Sequence, residues 1–230
     1  MKFDCYIFDL DGTLLNLGNI GAYADQILVE TLIKLGAKTI PSKIERRELW
    51  FSGQNFQQIL KKWGISKSTD FWKCYDQTDF EKRKILLLKK EISLYKDAKN
   101  VLEQIYNHKE NKKLAICTNT AHYIVNFFLK YFKINNYFHE IFSMGDNNQE
   151  FAKPSPKGIL AIMKKFKLNS QKNTIIMIGD SIHDIQAAKA AKVYSCLINH
   201  LSEGEIEKYK TWSLLPDYII ENLNDVIDLS

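Results

Sequence analysis

The sequence predicts an α/β fold, a doubly wound parallel sheet, with an all-helical domain inserted behind its first strand. Three observations carry that expectation: short apolar runs rich in β-formers recur along the chain, amphipathic helical patterns separate the later ones, and one long early stretch is helical throughout. Repeated strand–helix–strand order calls for a parallel sheet, because each return to the same edge needs a crossover that a helix fills.

The first run, Cys5–Phe8, is continuous rather than alternating, as in a strand covered on both faces. Residues 16–93 break the rhythm. Helical patterns at 22–35, 43–51, 56–63 and 80–92 follow one another there, separated by Gly36, Pro41, Gly53 and Gly64. Apolar runs at 114–117, 140–143, 174–178, 194–198 and 218–220 come next, with amphipathic helices at 121–132, 156–166 and 184–191. The expected organisation is a core of residues 1–15 and 94–230 and a helical cap of residues 16–93.

A chain of 230 residues, 45% apolar, can bury such a core. The net charge of +5 comes from lysines interspersed with glutamates, a solvated surface that also favours anionic substrates. No basic stripe with interleaved aromatics marks a nucleic-acid partner. No apolar run approaches the roughly 20 residues of a membrane span. The amino terminus enters a strand at once, so no signal peptide is expected and the expected location is cytoplasmic. Cys5, Cys74, Cys117 and Cys196 lack metal-site spacing and read as reduced thiols.

In an open parallel sheet, ligands bind beyond the carboxyl ends of the strands. Four polar clusters fall there: Asp9, Asp11 and Thr13; Thr118 and Asn119; Lys153; and Asp180, Ser181 and Asp184. Carboxylates brought so close repel one another and resist desolvation. A hard divalent cation with oxygen ligands, Mg²⁺, resolves the conflict. Lys153 and Thr118 then suit the oxygens of a phosphoryl group. One aspartate would attack phosphorus and the other would exchange protons with the leaving oxygen and with water. Gly12 permits the tight turn between them, and Thr13 is expected to restrain the second aspartate by hydrogen bonding.

The four clusters, "DLDGT" from Asp9, "CTNT" from Cys117, "KPSP" from Lys153 and "GDSIHD" from Gly179, resemble in order the motifs of the haloacid dehalogenase-like hydrolase superfamily. The resemblance is strongest to its phosphoglycolate phosphatase-like members, through "FSGQNFQQIL", "SLYKDAKNVLEQI" and "PDYIIENLNDV". Two departures, Lys96-Asp97 at the return from the cap and Asn16-Leu17 after the first motif, spare the chemical clusters. The resemblance implies Asp9 as nucleophile and metal ligand, and Asp11 as acid/base whose main-chain carbonyl also ligates the metal. It implies Thr118 and Asn119 as phosphoryl-binding, Lys153 as the neutralising cation, Asp180 as the principal metal ligand, and Asp184 as a carboxylate serving the metal directly or through water.

The implied activity is Mg²⁺-dependent hydrolysis of a small phosphorylated metabolite through an aspartyl-phosphate, by a monomer or homodimer. A phosphomutase of the β-phosphoglucomutase type resembles this architecture but has an acidic residue where Gly179 stands. A non-catalytic phosphate-binding protein should have lost part of the site. In the cap, Gly53, Gln54 and Asn55 are candidate substrate-binding residues; Arg46 and Arg47 could pair with a substrate carboxylate, but a place on the helix surface is the favoured reading. Trp50, Trp63 and Trp72 read as cap core. His122 and His183 read as ordinary surface residues, with a place at the edge of the site as the alternative, and none of the five histidines has metal spacing.

Overall fold

The computed structural model describes residues 1–52, 55–66, 68–108, 110–145, 148–200 and 208–229. By backbone contacts the chain divides into two compact units, one of Met1–Asn16, Leu94–Met144 and Phe151–Ser230, the other of Leu17–Ser93 and Gly145–Glu150.

The first unit is built on strands β1 (Cys5–Phe8), β4 (Lys113–Ala121), β5 (Glu140–Met144), β6 (Ile175–Gly179), β7 (Tyr194–Ile198) and β8 (Tyr218–Ile220). They form one sheet in the order β5-β4-β1-β6-β7-β8, every pairing parallel. The chain lays β4 and β5 on one side of β1 and then crosses to β6 on the other, which makes the carboxyl end of β1 the topological switch point. Two-residue strands β2 (Leu15–Asn16) and β3 (Ser93–Leu94) pair separately.

Helices α5 (Ala98–Tyr106), α6 (His122–Tyr131), α7 (Lys157–Phe166), α8 (Ile182–Ala190) and α9 (Asp225–Asp228) accompany the sheet. Side chains of a strand alternate between faces. Cys5 and Ile7 of β1, with Ala115, Cys117, Ile175 and Met177, accordingly meet Ile159, Ile162 and Met163 of α7 and Ala187 and Ala188 of α8 in one buried cluster. Tyr6 and Phe8 are fully buried too, so both faces of β1 are covered and the continuous apolar run is explained. The four cysteines are free, Cys5, Cys117 and Cys196 inside the sheet region.

The second unit carries α1 (Ile20–Lys34), α2 (Lys43–Trp50), α3 (Phe56–Lys62) and α4 (Phe71–Leu88). Asn19 caps α1 by accepting from the Ala22 amide at 3.0 Å, and Ser42 and Glu45 form a reciprocal capping box on α2. Leu28, Leu32, Leu49, Phe56, Leu60, Ile65 and Phe71 form its core, with Trp50, Trp63 and Trp72 packed against it. The tryptophans therefore serve as core, as the sequence suggested.

The last helix departs from the expected 80–92: it begins at Phe71 and ends at Leu88. The stretch before Phe80 is rich in aromatic, Thr and Asp residues, which are indifferent helix formers. Burial of Phe71, with Trp72 and Tyr75 against the same core, decides for helix. Among the described residues, no helix is long and apolar enough to cross a membrane.

Candidate active site

The register of the sheet sets the site. Phe8 pairs with Ile116 on β4 and with Ile178 on β6, so Asp9, Thr118 and Asp180 emerge together at the carboxyl edge. Asp9 follows β1 directly, its amide donating to Ile178 O at 2.8 Å. The turn after it needs Gly12, whose φ is +77° and where a Cβ would lie 2.3 Å from Asp180 Oδ2. The Asp180 carboxylate thus rests on the bare backbone of the first motif.

Lys153 is buried at the centre. Its Nζ lies 2.8 Å from Asp9 Oδ1 and 2.5 Å from Asp184 Oδ1. Asp184, wholly buried, spends its other oxygen on the N-terminus of α8, accepting from Ser181 N at 3.0 Å and Ser181 Oγ at 2.6 Å. Asp184 thus bonds Lys153 through one oxygen and caps α8 through the other. Gly179 makes room for it, because a Cβ there would lie 2.2 Å from Asp184 Cγ.

Carboxylate oxygens of Asp9, Asp180 and Asp184 all lie within 4.8 Å of one another. Burial is the main force raising the Asp9 carboxyl to about 7, with Asp184 and Asp11 adding to it and Lys153 opposing. Burial likewise lifts Asp180 well above the usual range, helped by Asp184 and Asp9. For Lys153 burial pulls downward, but Asp184 and Asp9 overcome it and hold the ammonium charged. One lysine against three gathered carboxylates leaves an excess of negative charge in a buried, all-oxygen donor set. Those residues fit a hard divalent cation.

The end of β4 supplies the rest. Between Cys117 and Ala121 the chain advances four residues on β4 while the paired strand advances only two, from Phe142 to Met144. This irregularity turns residues 118–120 out of the ladder, as bulges beside sites do. Thr118 is buried, its Oγ accepting from Thr120 N at 3.3 Å. Asn119 uses its side chain on the third motif: Nδ2 donates to Lys153 O at 2.9 Å and Oδ1 accepts from Lys153 N at 2.8 Å. Thr120 Oγ donates to Asp11 Oδ2 at 2.6 Å.

One expectation changes, and one pair of alternatives is decided. Thr13, expected to restrain the second aspartate, is fully buried and its Oγ has no hydrogen-bond partner among the described residues, while Thr120 Oγ is the hydroxyl that bonds Asp11. Arg46, a candidate for a substrate carboxylate, is spent on Asp25 through bonds of 2.7 and 2.6 Å and on Pro41 O at 2.5 Å. Gly53 and Gln54 lie outside the described residues, and Asn55 precedes α3 in the helical unit. His122 is exposed and bonded to Ser143 Oγ and Asn126 Nδ2, each at 2.8 Å. His183 stands next to Asp184, its imidazole pulled down chiefly by burial.

Two further contacts at this edge had no sequence signal. His200, two residues beyond β7, donates from Nε2 to Thr13 O at 3.1 Å and stacks on Tyr95 with ring centroids 3.4 Å apart.

A family model described as haloacid dehalogenase-like hydrolase matches residues 6–198, spanning all four clusters. The chain belongs to this hydrolase family. Among its relatives, pyrophosphatase PpaX of Bacillus mycoides strain KBAB4 is 24% identical over 100% of this chain and 97% of that protein. The fold of this hydrolase superposes on a predicted phosphoglycolate phosphatase from Haemophilus somnus 129PT with a TM-score of 0.66 and 22% identity, covering 99% and 98% of the two chains. It also matches YfnB of Bacillus subtilis, a structure with bound magnesium, with a TM-score of 0.60 and 17% identity over 99% and 98%.

Proposed function

We propose that this hydrolase is a Mg²⁺-dependent phosphatase that cleaves small phosphomonoesters through an aspartyl-phosphate. The observation that carries the reading is the buried Lys153 ammonium shared between Asp9 and Asp184, with Asp180 within the same acidic cluster. A cation among carboxylates at the switch point of a parallel sheet is built to receive a phosphoryl group.

Asp9, Asp180 and the carbonyl of Asp11 would hold the metal, and Asp184 would lend its charge while its oxygens serve Lys153 and Ser181. Bound Mg²⁺ supplies positive charge that lets the carboxylates ionise together and offsets charge on the phosphoryl oxygens. Asp9 Oδ attacks phosphorus as the bond to the leaving oxygen breaks, and Asp11, protonated, gives that oxygen its proton. Water then attacks the phosphorus, Asp11 takes the water's proton, and the bond to Asp9 breaks to release phosphate. Thr118 and Lys153 bind the transferring group throughout.

Gly179 favours hydrolysis over a mutase: the acidic residue of the β-phosphoglucomutase type would displace Asp184. Phosphoglycolate and sugar phosphates lead the substrate panel by motif resemblance, and pyrophosphate joins it because a full-length relative is named for that activity. Hydrolysis of p-nitrophenyl phosphate with and without Mg²⁺, followed by kcat/KM across that panel, tests the reading. Absence of turnover in every condition contradicts it.

A further inference from the structure

Asp11, the acid/base of the proposed reaction, is gripped by a residue to which the four-motif pattern assigns no task. Thr120 Oγ lies 2.6 Å from Asp11 Oδ2. The contact exists because the step in β4 after Cys117 releases residues 118–120 from the ladder, and the Thr120 amide is fixed in turn by Thr118 Oγ at 3.3 Å. We propose that Thr120 is a positioning residue for the acid/base, fixing the orientation of the Asp11 carboxyl through its Oδ2. The inference rests on the phosphatase reading and adds to it a residue with a separable effect.

The chemistry of the partner suits the task. Asp11 must change protonation twice in each turnover, once giving a proton and once taking it. A hydroxyl follows both changes by rotation, since it donates to a carboxylate and accepts from a carboxylic acid. An ammonium or guanidinium could only donate and would hold Asp11 in its ionised form. The same strand end serves the opposite side of the site: Asn119 holds the backbone of Lys153 through two hydrogen bonds while Thr120 holds Asp11. The proton donor and the phosphoryl-binding cation therefore take their alignment from consecutive residues.

The experiment uses full-length protein and the aryl series from 4-nitrophenyl to phenyl phosphate. Binding is nearly constant along this series, but the need for a proton on the leaving oxygen rises steadily. The quantity read is the slope of log kcat/KM against leaving-group basicity, which reports the step in which Asp9 is phosphorylated. T120V keeps the shape and loses the hydroxyl, and T120S keeps the hydroxyl. The expected result is a steeper slope in T120V, with phenyl phosphate losing about tenfold more than 4-nitrophenyl phosphate, and the wild-type slope in T120S. Equal loss across the series in T120V, or a T120S slope like that of T120V, overturns the inference, because damage to folding or binding lowers all substrates alike. A wild type inactive on every aryl phosphate instead refutes the phosphatase reading itself.

Discussion

At the scale of single residues the site is a balance of buried charge. Asp9 and Asp180 are both driven toward protonation by burial, while Lys153 is kept charged by the carboxylates around it. Small displacements should therefore be costly. Gly179→Ala puts a methyl where Asp184 Cγ stands, 2.2 Å from the ideal Cβ position. Asp184 must move, and Lys153 moves with it. We expect kcat/KM to fall about a hundredfold, the loss typical of an ångström-scale misplacement, with the far-ultraviolet circular dichroism unchanged. Activity within twofold of wild type would contradict that packing. Asp9 and Asp180 were legible because each directly follows a strand at the edge where such sheets bind ligands, and Thr118 and Lys153 because their short polar motifs stand near the end of β4 and just before α7. The tasks of Thr120 and the Asn119 side chain were not, because both depend on a step in β4 that no residue type announces.

At the scale of elements, the parallel strands were legible from continuous apolar runs, whereas α4 was half missed. Its first turns are helical through packing of Phe71 and its neighbours. Farther along α4, Asp79 and Arg83 form an ion pair of 2.8 Å that is almost wholly buried, and Tyr23 donates to Asp79 Oδ1 at 2.5 Å. Removing one member of such a pair leaves a buried charge without its counter-ion. Asp79→Ala should lower unfolding stability by about 3 kcal/mol, read from urea titration, and Asp79→Ala/Arg83→Met should recover much of it. No recovery in the double variant would show that the loss does not come from an Arg83 charge left without its counter-ion.

The sheet edge offers a test by pH. Asp217, just before β8, accepts from Ser195 N and Oγ at 2.8 Å each and pairs with Lys189. Burial pushes its carboxyl up, but the Lys189 and Ser195 bonds outweigh burial and hold it below the usual value. A lowered folded-state pKa stabilises above the unfolded value, about 3.9, and that contribution fades as pH falls through the folded one. Asp217→Asn should therefore lower Tm at pH 7, and the difference should shrink in acid. A gap that stays constant down to the acid transition would assign the effect to packing.

Across the whole molecule, one device links sequence, fold and chemistry. A doubly wound sheet delivers four distant clusters to one edge, where the Lys153 ammonium stands among closely gathered carboxylates whose oxygen donors fit a hard divalent cation. In the proposed reaction the Asp9 and Asp11 pair, costly in a bare turn, acts as a nucleophile beside a proton carrier. The helical unit is organised separately, around its own core. The most direct test of the central claim is p-nitrophenyl phosphate hydrolysis by wild type and Asp9→Asn, each with Mg²⁺ and with chelator. The account predicts turnover only in wild type with Mg²⁺, and full activity in Asp9→Asn would contradict it.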